Sequence, residues 1–223
     1  MSTLMQLSRG SISQVALGIL DEYGLADVSM RRVATALGVA PGALYWHIEN
    51  KQELISNLAA LILEPLFEAP GHAGTPATAT ATATATASDF CTRLRRELLA
   101  HRDGAEVVIA AVSQPASPVA RQLLDALLAA VEGERPGARP EDAAAAAEGL
   151  MHMTLGAAYV HQSTTQLAQA TGGRGAAGEP GEEGGVDKAI GFLLAGLRSA
   201  GAESAKSAES AARGFSYTIN PHD

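Results

Sequence analysis

The sequence predicts an all-α chain built from two helical parts, and three observations predict it. Ala, Leu and Gly dominate the 223 residues while Phe, Trp and Tyr supply only 4%, a composition that favours helices over sheet. Apolar residues recur at spacings of three and four along the long segments, the period of a helix buried on one face. A low-complexity tract in the middle separates the two parts, and 47% hydrophobic content suffices to bury a core in each. No run of eighteen apolar residues is present to span a bilayer. The first residues lack the apolar core and cleavage site of a secretion signal. The single cysteine, Cys91, excludes an internal disulfide and a Cys-rich metal site. A cytoplasmic protein is expected. The net charge of −8 argues against a nonspecific nucleic-acid coat, although a local site can differ from the total.

Residues 1–67 read as four short helices. Ser11-Ile12-Ser13-Gln14 has the form of a capping box, in which a serine hydroxyl takes an orphan amide and the glutamine reaches back. Ile12, Ala16, Ile19, Leu20 and Tyr23 follow at helical spacing, and Gly24 stops the run. Ser29 caps a second helix whose inner face is Val33, Ala34 and Leu37. Gly38 supplies the positive φ that ends it, and Val39 plugs a tight turn. Pro41 opens a third helix through His47, and Asn50 caps a fourth carrying Leu54, Leu58, Leu61 and Ile62. Pro65 is expected to end or bend it.

Two helices joined by a Gly-containing turn, then a short helix with polar-tipped rings, form a helix-turn-helix. Leu44 and Ile48 share the side of the third helix that faces its neighbours, while Tyr45, Trp46 and His47 fan around the rest. Two readings of these rings are open: they staple a small core, or they face the phosphates and base edges of DNA. Arg31, Arg32 and Lys51 flank them with positive charge. Residues 1–67 hold four Lys or Arg against six Asp or Glu, but residues 29–51 hold three against one. The local excess suits a defined site and weak nonspecific binding.

The stretch "SMRRVATALGVAPGALYWHIENKQELI" resembles the DNA-binding segment of the TetR family of bacterial transcriptional regulators. The resemblance covers roughly residues 11–67, with Ala34, Leu37, Gly38, Val39, Leu44, Tyr45, His47, Asn50 and Lys51 at pattern positions. The "LYWH" run is similar to the tetracycline-repressor branch. The resemblance implies that Arg31 reaches the groove or its phosphates, and that Pro41, Gly42 and Ala43 form the base-facing start of the recognition helix. It implies phosphate contacts for Tyr45, His47 and Lys51, with Trp46 packing at the edge; Ser29 and Arg32 complete the expected DNA-binding set. Pro41, Gly42 and Ala43 depart from the tetracycline repressor in having no polar side chain to read bases. Base reading is therefore expected to rest on Arg31 and van der Waals contact.

Residues 68–88 are expected to be a linker, because the Ala-Thr alternation from Ala77 to Ala87 has a strand's period and nothing large to bury. A helical domain over residues 89–200 follows, and residues 201–223 read as a flexible tail. Phe90, Leu94, Leu98 and His101 mark one helix, and the apolar "GAEVVIAAVSQ" a buried second. Pro118 opens a third with Leu123, Leu124, Leu127, Leu128 and Val131, and Gly133 to Pro140 is a loop. Glu141 to about Gln169 makes a long helix, and Val186 to about Ser199 the last strong one. Leu150, Met153, Ala157, Val160 and Thr164 share a face beside Gly156 and Ala158, while Ile190, Leu193, Leu194 and Leu197 lie near Gly191 and Gly196. Such small residues let helices approach closely, which suits either intrachain packing or an isologous four-helix bundle in a homodimer. The resemblance implies the homodimer.

Glu148, His152, Tyr159, Gln162 and Gln166 lie on the other face of the long helix. They are either solvated or turned into a cavity bounded by the 89–101, 103–114 and 117–132 helices, the environment a small molecule needs. The resemblance implies an effector there, with Phe90, His101, Met151, His152 and Tyr159 as candidate effector-binding residues. A metal is not expected: His152 and His161 stand nine apart, out of phase, with no carboxylate at ligand spacing. No cofactor motif, phosphate loop, Gly-x-Ser-x-Gly elbow or His-Glu-x-x-His occurs, and Cys91 has no catalytic partner, so an enzyme is not expected. The expected function is a dimeric repressor that binds double-stranded operator DNA and is released by a small-molecule effector, with no membrane partner. The alternative is a regulator controlled by a protein partner.

Overall fold

The computed structural model describes residues 7–67, 86–172 and 185–197. The described residues are helical with connecting turns: α1 (Arg9–Tyr23), α2 (Met30–Leu37), α3 (Pro41–Leu44), α4 (Lys51–Phe67), α5 (Ala87–Ala100), α6 (Gly104–Val112), α7 (Pro118–Glu134) and α8 (Pro140–Ala170). A further helix, α9, covers residues 185–197. The expected all-α architecture, with an N-terminal helix-turn-helix and a C-terminal helical domain, is what the chain forms.

α1 starts two residues earlier than its apparent capping box. Ser8 is the N-cap, accepting from the Ser11 amide at 3.1 Å, and the Ser11 hydroxyl takes the Ser8 amide at 2.9 Å. A serine at the third helical position closes the box as well as the expected glutamine, because one oxygen within reach of the cap amide is all it needs. Gly24 ends α1 at φ 91°. Ile12, Ala16, Leu20, Val33, Ala34, Leu44 and Ile48 are fully buried and hold α1 to α3 together.

α4 is the shared element. Leu54, Ile55, Leu58, Ile62, Leu63 and Leu66 form one buried stripe along it. It packs against α1 on one side and α5, α6 and α7 on the other. Pro65 does not break it: the helix runs on to Phe67, and the exposed Pro65 ring removes only one backbone donor. The Phe67 ring then meets Phe90 of α5 at a centroid distance of 6.4 Å.

α5 also begins before the expected linker ends. Thr86 caps it, accepting from the Asp89 amide at 3.0 Å while Asp89 takes the Thr86 amide at 3.1 Å. The Ala87 amide reaches Glu134 Oε1 at the end of α7, at 2.5 Å. An alternating pattern says nothing about a cap, so the last Thr of the tract was hidden as a helix start. The rest of the expected linker, residues 68–85, and the 201–223 tail lie outside the described residues. Met151, Leu155 and Ala158 of α8 join the core with Ile190 and Leu194 of α9. The close approach of α9 uses Gly149, where an added Cβ would stand 3.0 Å from Leu193 Cδ1. Leu150 is fully buried, whereas Val160 is 62% exposed, so the apolar face read as one stripe divides between core and surface along α8. A thirty-one-residue helix outruns the elements packed on it.

Candidate nucleic-acid interface

The α2–α3 turn is built from backbone geometry. Ser29 caps α2 by accepting from the Arg32 amide at 3.2 Å. Gly38 takes the left-handed conformation at φ 69°, which lets the Val39 amide reach the Ala34 carbonyl at 3.0 Å. Pro41 then starts α3, which is shorter than expected. Its helix proper stops at Leu44, and Tyr45, Trp46 and His47 occupy the turn that follows. Leu44 and Ile48 are both fully buried, so the backbone between them arches outward and carries the three side chains with it.

Exposure removes one of the two readings of the rings. Trp46 is 89% exposed and Tyr45 54%, so neither staples the core. Burying an indole would have recovered much of its transfer free energy, so its place in water makes this turn a candidate contact surface. Arg31, Pro41, Gly42 and Lys51 are exposed, and Ala43 and His47 partly so. The Arg31 carbonyl accepts from the Thr35 hydroxyl at 2.9 Å.

Arg32 is placed differently from the rest of the expected set. Its guanidinium pairs with Asp27 and lies 3.9 Å from the centroid of the Tyr23 ring. The cation thus locks α2 to the end of α1 and stabilises the head rather than reaching out. Ser29 is likewise committed to its cap. Tyr23, beside them, has its phenol raised above the ordinary value chiefly by a hydrogen bond to Glu22.

One residue of this surface was missed in the sequence. Arg9 Nε donates to the His47 carbonyl at 2.8 Å, and Arg9 Nη2 pairs with Glu53 at 3.2 Å. Glu53 in turn accepts from the Glu49 amide at 2.6 Å, and its own amide donates to Asn50 Oδ1 at 2.9 Å. α1, the ring-bearing turn and the start of α4 are therefore tied by one guanidinium. Nothing in the linear sequence links Arg9 to a position thirty-eight residues on.

The five candidate effector residues are not brought together. Phe90 and Met151 are buried in the core at 7% and 4% exposure. His152 and Tyr159 lie on the protomer surface, so they do not look into a cavity between α5, α6 and α7 as the cavity reading required. Adjacent residues on a helix point about 100° apart, which is why buried Met151 and exposed His152 cannot share a wall. His101 sits at the α5–α6 corner, where Nδ1 is 3.0 Å from Asp21 of α1. It lines an open cleft of about 290 Å3 with Gln162 and Gln166. A second cleft of about 300 Å3 opens between α5, α8 and α9, lined by Arg95, Gly156, Val160, His161, Thr164 and Val186. Among the described residues no group of three or more His, Cys, Asp or Glu is placed to hold a metal, and no helix is long and apolar enough to cross a membrane.

Known proteins share this arrangement. The family model for bacterial regulatory proteins of the tetR family matches residues 12–58, from the first turns of α1 to the middle of α4. The tetracycline repressor protein class E of Escherichia coli is 30% identical over 164 residues, covering 74% of this chain and 73% of that protein. BioQ of Mycobacterium smegmatis is 34% identical with a TM-score of 0.70, over 86% of this chain and 98% of that one. A structure of BioQ with its double-stranded DNA operator is 32% identical with a TM-score of 0.66, over 86% of this chain and 98% of that one. These relatives are regulators, and the match extends beyond the head into the C-terminal helices. The chain belongs to the tetR family of bacterial regulatory proteins, which bind DNA to regulate transcription.

Proposed function

We propose that the protein is a homodimeric repressor that holds double-stranded operator DNA and releases it when a small molecule binds its C-terminal helices. The observation that carries the DNA side is the 89% exposure of Trp46 on a turn pinned at both ends by buried Leu44 and Ile48. Tyr45, His47 and Lys51 then contact backbone phosphates, Arg31 reads the groove, and Pro41, Gly42 and Ala43 approach base edges closely because they are small. A BioQ structure that holds its operator supports this role. The repressor sense is supported by the tetracycline repressor relative, which also favours a small-molecule effector.

The dimer reading rests on Val160, Leu167 and Phe192, which are 62%, 64% and 69% exposed on α8 and α9. Phe192 was not flagged in the sequence, because the leucines around it carry the helical stripe. The cleft of about 300 Å3 between α5, α8 and α9 is the effector site this reading favours, since its apolar walls carry only a few polar groups.

Selection of binding sequences from a random duplex pool, followed by anisotropy with the winner, tests the DNA role. Enrichment of a palindrome with half-sites about one helical turn apart is expected, and no enrichment overturns the reading. Sedimentation of wild type and Phe192→Glu tests the dimer: the wild type should sediment as a dimer and the variant as a monomer. Tetracycline and a metabolite library, added to the bound complex, test release.

A further inference from the structure

We propose that Gln166 of α8 is a positioning residue for DNA binding, acting on the head through Asp103. The inference rests on the DNA-binding role above and concerns how the head is held, not what it touches.

Asp103 stands at the start of α6, where an aspartate ordinarily turns back to cap the first amides. Here its side chain makes no cap bond, and its backbone sits at φ 55°, ψ 19° in the left-handed region. Both departures are unfavourable for a non-glycine residue unless its surroundings hold it. The two carboxylate oxygens are used elsewhere. Oδ2 accepts from the Leu25 amide at 2.8 Å, in the turn between α1 and α2, and Oδ1 accepts from Gln166 Nε2. One carboxylate therefore spans from the C-terminal domain's long helix to the head. Leu25 and Gln166 are not neighbours, and Asp103 is the only bridge the described hydrogen bonds draw between them.

The corner is held from α8 as well. Gln162, one turn before Gln166, accepts from the Ala105 amide at 3.0 Å and donates to the carbonyls of Leu98 and His101 at 3.0 and 2.8 Å. On its other side the corner grips α1: His101 faces Asp21, and Arg102 Nη1 donates to the Glu22 carbonyl at 3.0 Å. The space at Gly24 confirms how tightly Asp103 seats, since an added Cβ there would stand 2.7 Å from Oδ2. A displacement of α8 at Gln166 is thus transmitted to the Leu25 turn, and from there to α2 and Arg31, without passing along α4.

Amide exchange of the full-length protein at Leu25, with operator affinity measured alongside, tests the relay. Gln166→Ala lies at the surface of α8 and leaves the core intact. It should speed Leu25 exchange about fivefold and shift operator affinity by about threefold or more. In a Asp103→Ala background the same Gln166→Ala change should add nothing to either readout, because the bridge is already gone. Should Asp103→Ala fail to fold, the Gln166→Ala comparison still decides. Unchanged Leu25 exchange in Gln166→Ala overturns the relay. So does faster exchange with operator affinity unmoved. A wild type that binds no duplex overturns the repressor reading instead, while the exchange measurement on free protein continues to decide the relay.

Discussion

Arg9 and His47 are joined by a hydrogen bond of 2.8 Å from the Arg9 guanidinium to the His47 carbonyl, across the gap between the first helix and the ring-bearing turn. The bond fixes where the backbone of that turn lies without occupying any side chain that could meet DNA. Arg9→Ala should weaken operator binding while unfolding stability falls by no more than about 1 kcal/mol, because the Arg9 side of its pair with Glu53 is 67% exposed. Urea melts read beside anisotropy titrations separate the two effects. Equal operator affinity in Arg9→Ala would show that the turn holds its shape alone.

The proposed phosphate contacts have a distinct signature. Tyr45→Ala, His47→Ala and Lys51→Ala should each weaken binding to all duplexes alike, and Lys51→Ala should lower the salt slope by about 1. Arg31→Ala should instead narrow the gap between operator and unrelated DNA. Arg32→Ala should act through stability, since its guanidinium is paired with Asp27 and stacked on Tyr23. Titrations at several salt concentrations check all five.

Two glycines make opposite predictions. A Cβ at Gly104 would collide with the Leu98 carbonyl, which belongs to backbone and cannot swing aside. Gly104→Ala should therefore lose about 1–3 kcal/mol of stability. At Gly156, inside α8, a Cβ meets nothing within 4 Å, and Gly156→Ala should gain about 0.5–1 kcal/mol from restored helix propensity. Thermal melts of the pair, run together, test both signs.

Burial pushes the Cys91 thiol above its ordinary value, with a hydrogen bond to Thr154 working against it. The unfolded chain therefore releases this proton first as pH rises. The stability contributed by the neutral thiol is complete below about pH 8.5 and is lost as pH climbs toward the folded value. Alkylation of Cys91 by iodoacetamide should be slow at neutral pH in the folded state. Rapid labelling of native protein would show that the thiol is open to solvent.

Local signals carried most of the head into view. The Ser29 cap, the left-handed Gly38 and Pro41 at the start of α3 each act within one turn of backbone, so each was readable from its neighbours. The exposure of Trp46 was not, because a row of rings fits a packed core and a wet surface equally. The tertiary partners were invisible for the same reason: Arg9 meets His47, and Asp103 meets Leu25 seventy-eight residues away. Among the effector candidates, residue type pointed at His152 and Tyr159, but helix phase relative to α5 and α7 decides which side faces inward. That phase depends on packing, which a periodic pattern leaves free to rotate.

α4 belongs to both halves of the molecule, and its unbroken apolar stripe lies in one hydrophobic core that runs from α1 to α9. A head cut away at residue 50 would lose the packing of α4 on α1, and with it the buried Leu54, Ile55 and Leu58. The head is consequently no autonomous module, and melting it should drag the rest of the protein along in one cooperative step. Exchange of DNA specificities between relatives by recombination must respect this: a viable chimera takes its junction after Phe67, carrying the whole of α4 with the head and refitting its far side to a foreign core. Reading heads in such a protein diversify more readily by point substitution on the exposed turn than by transplantation.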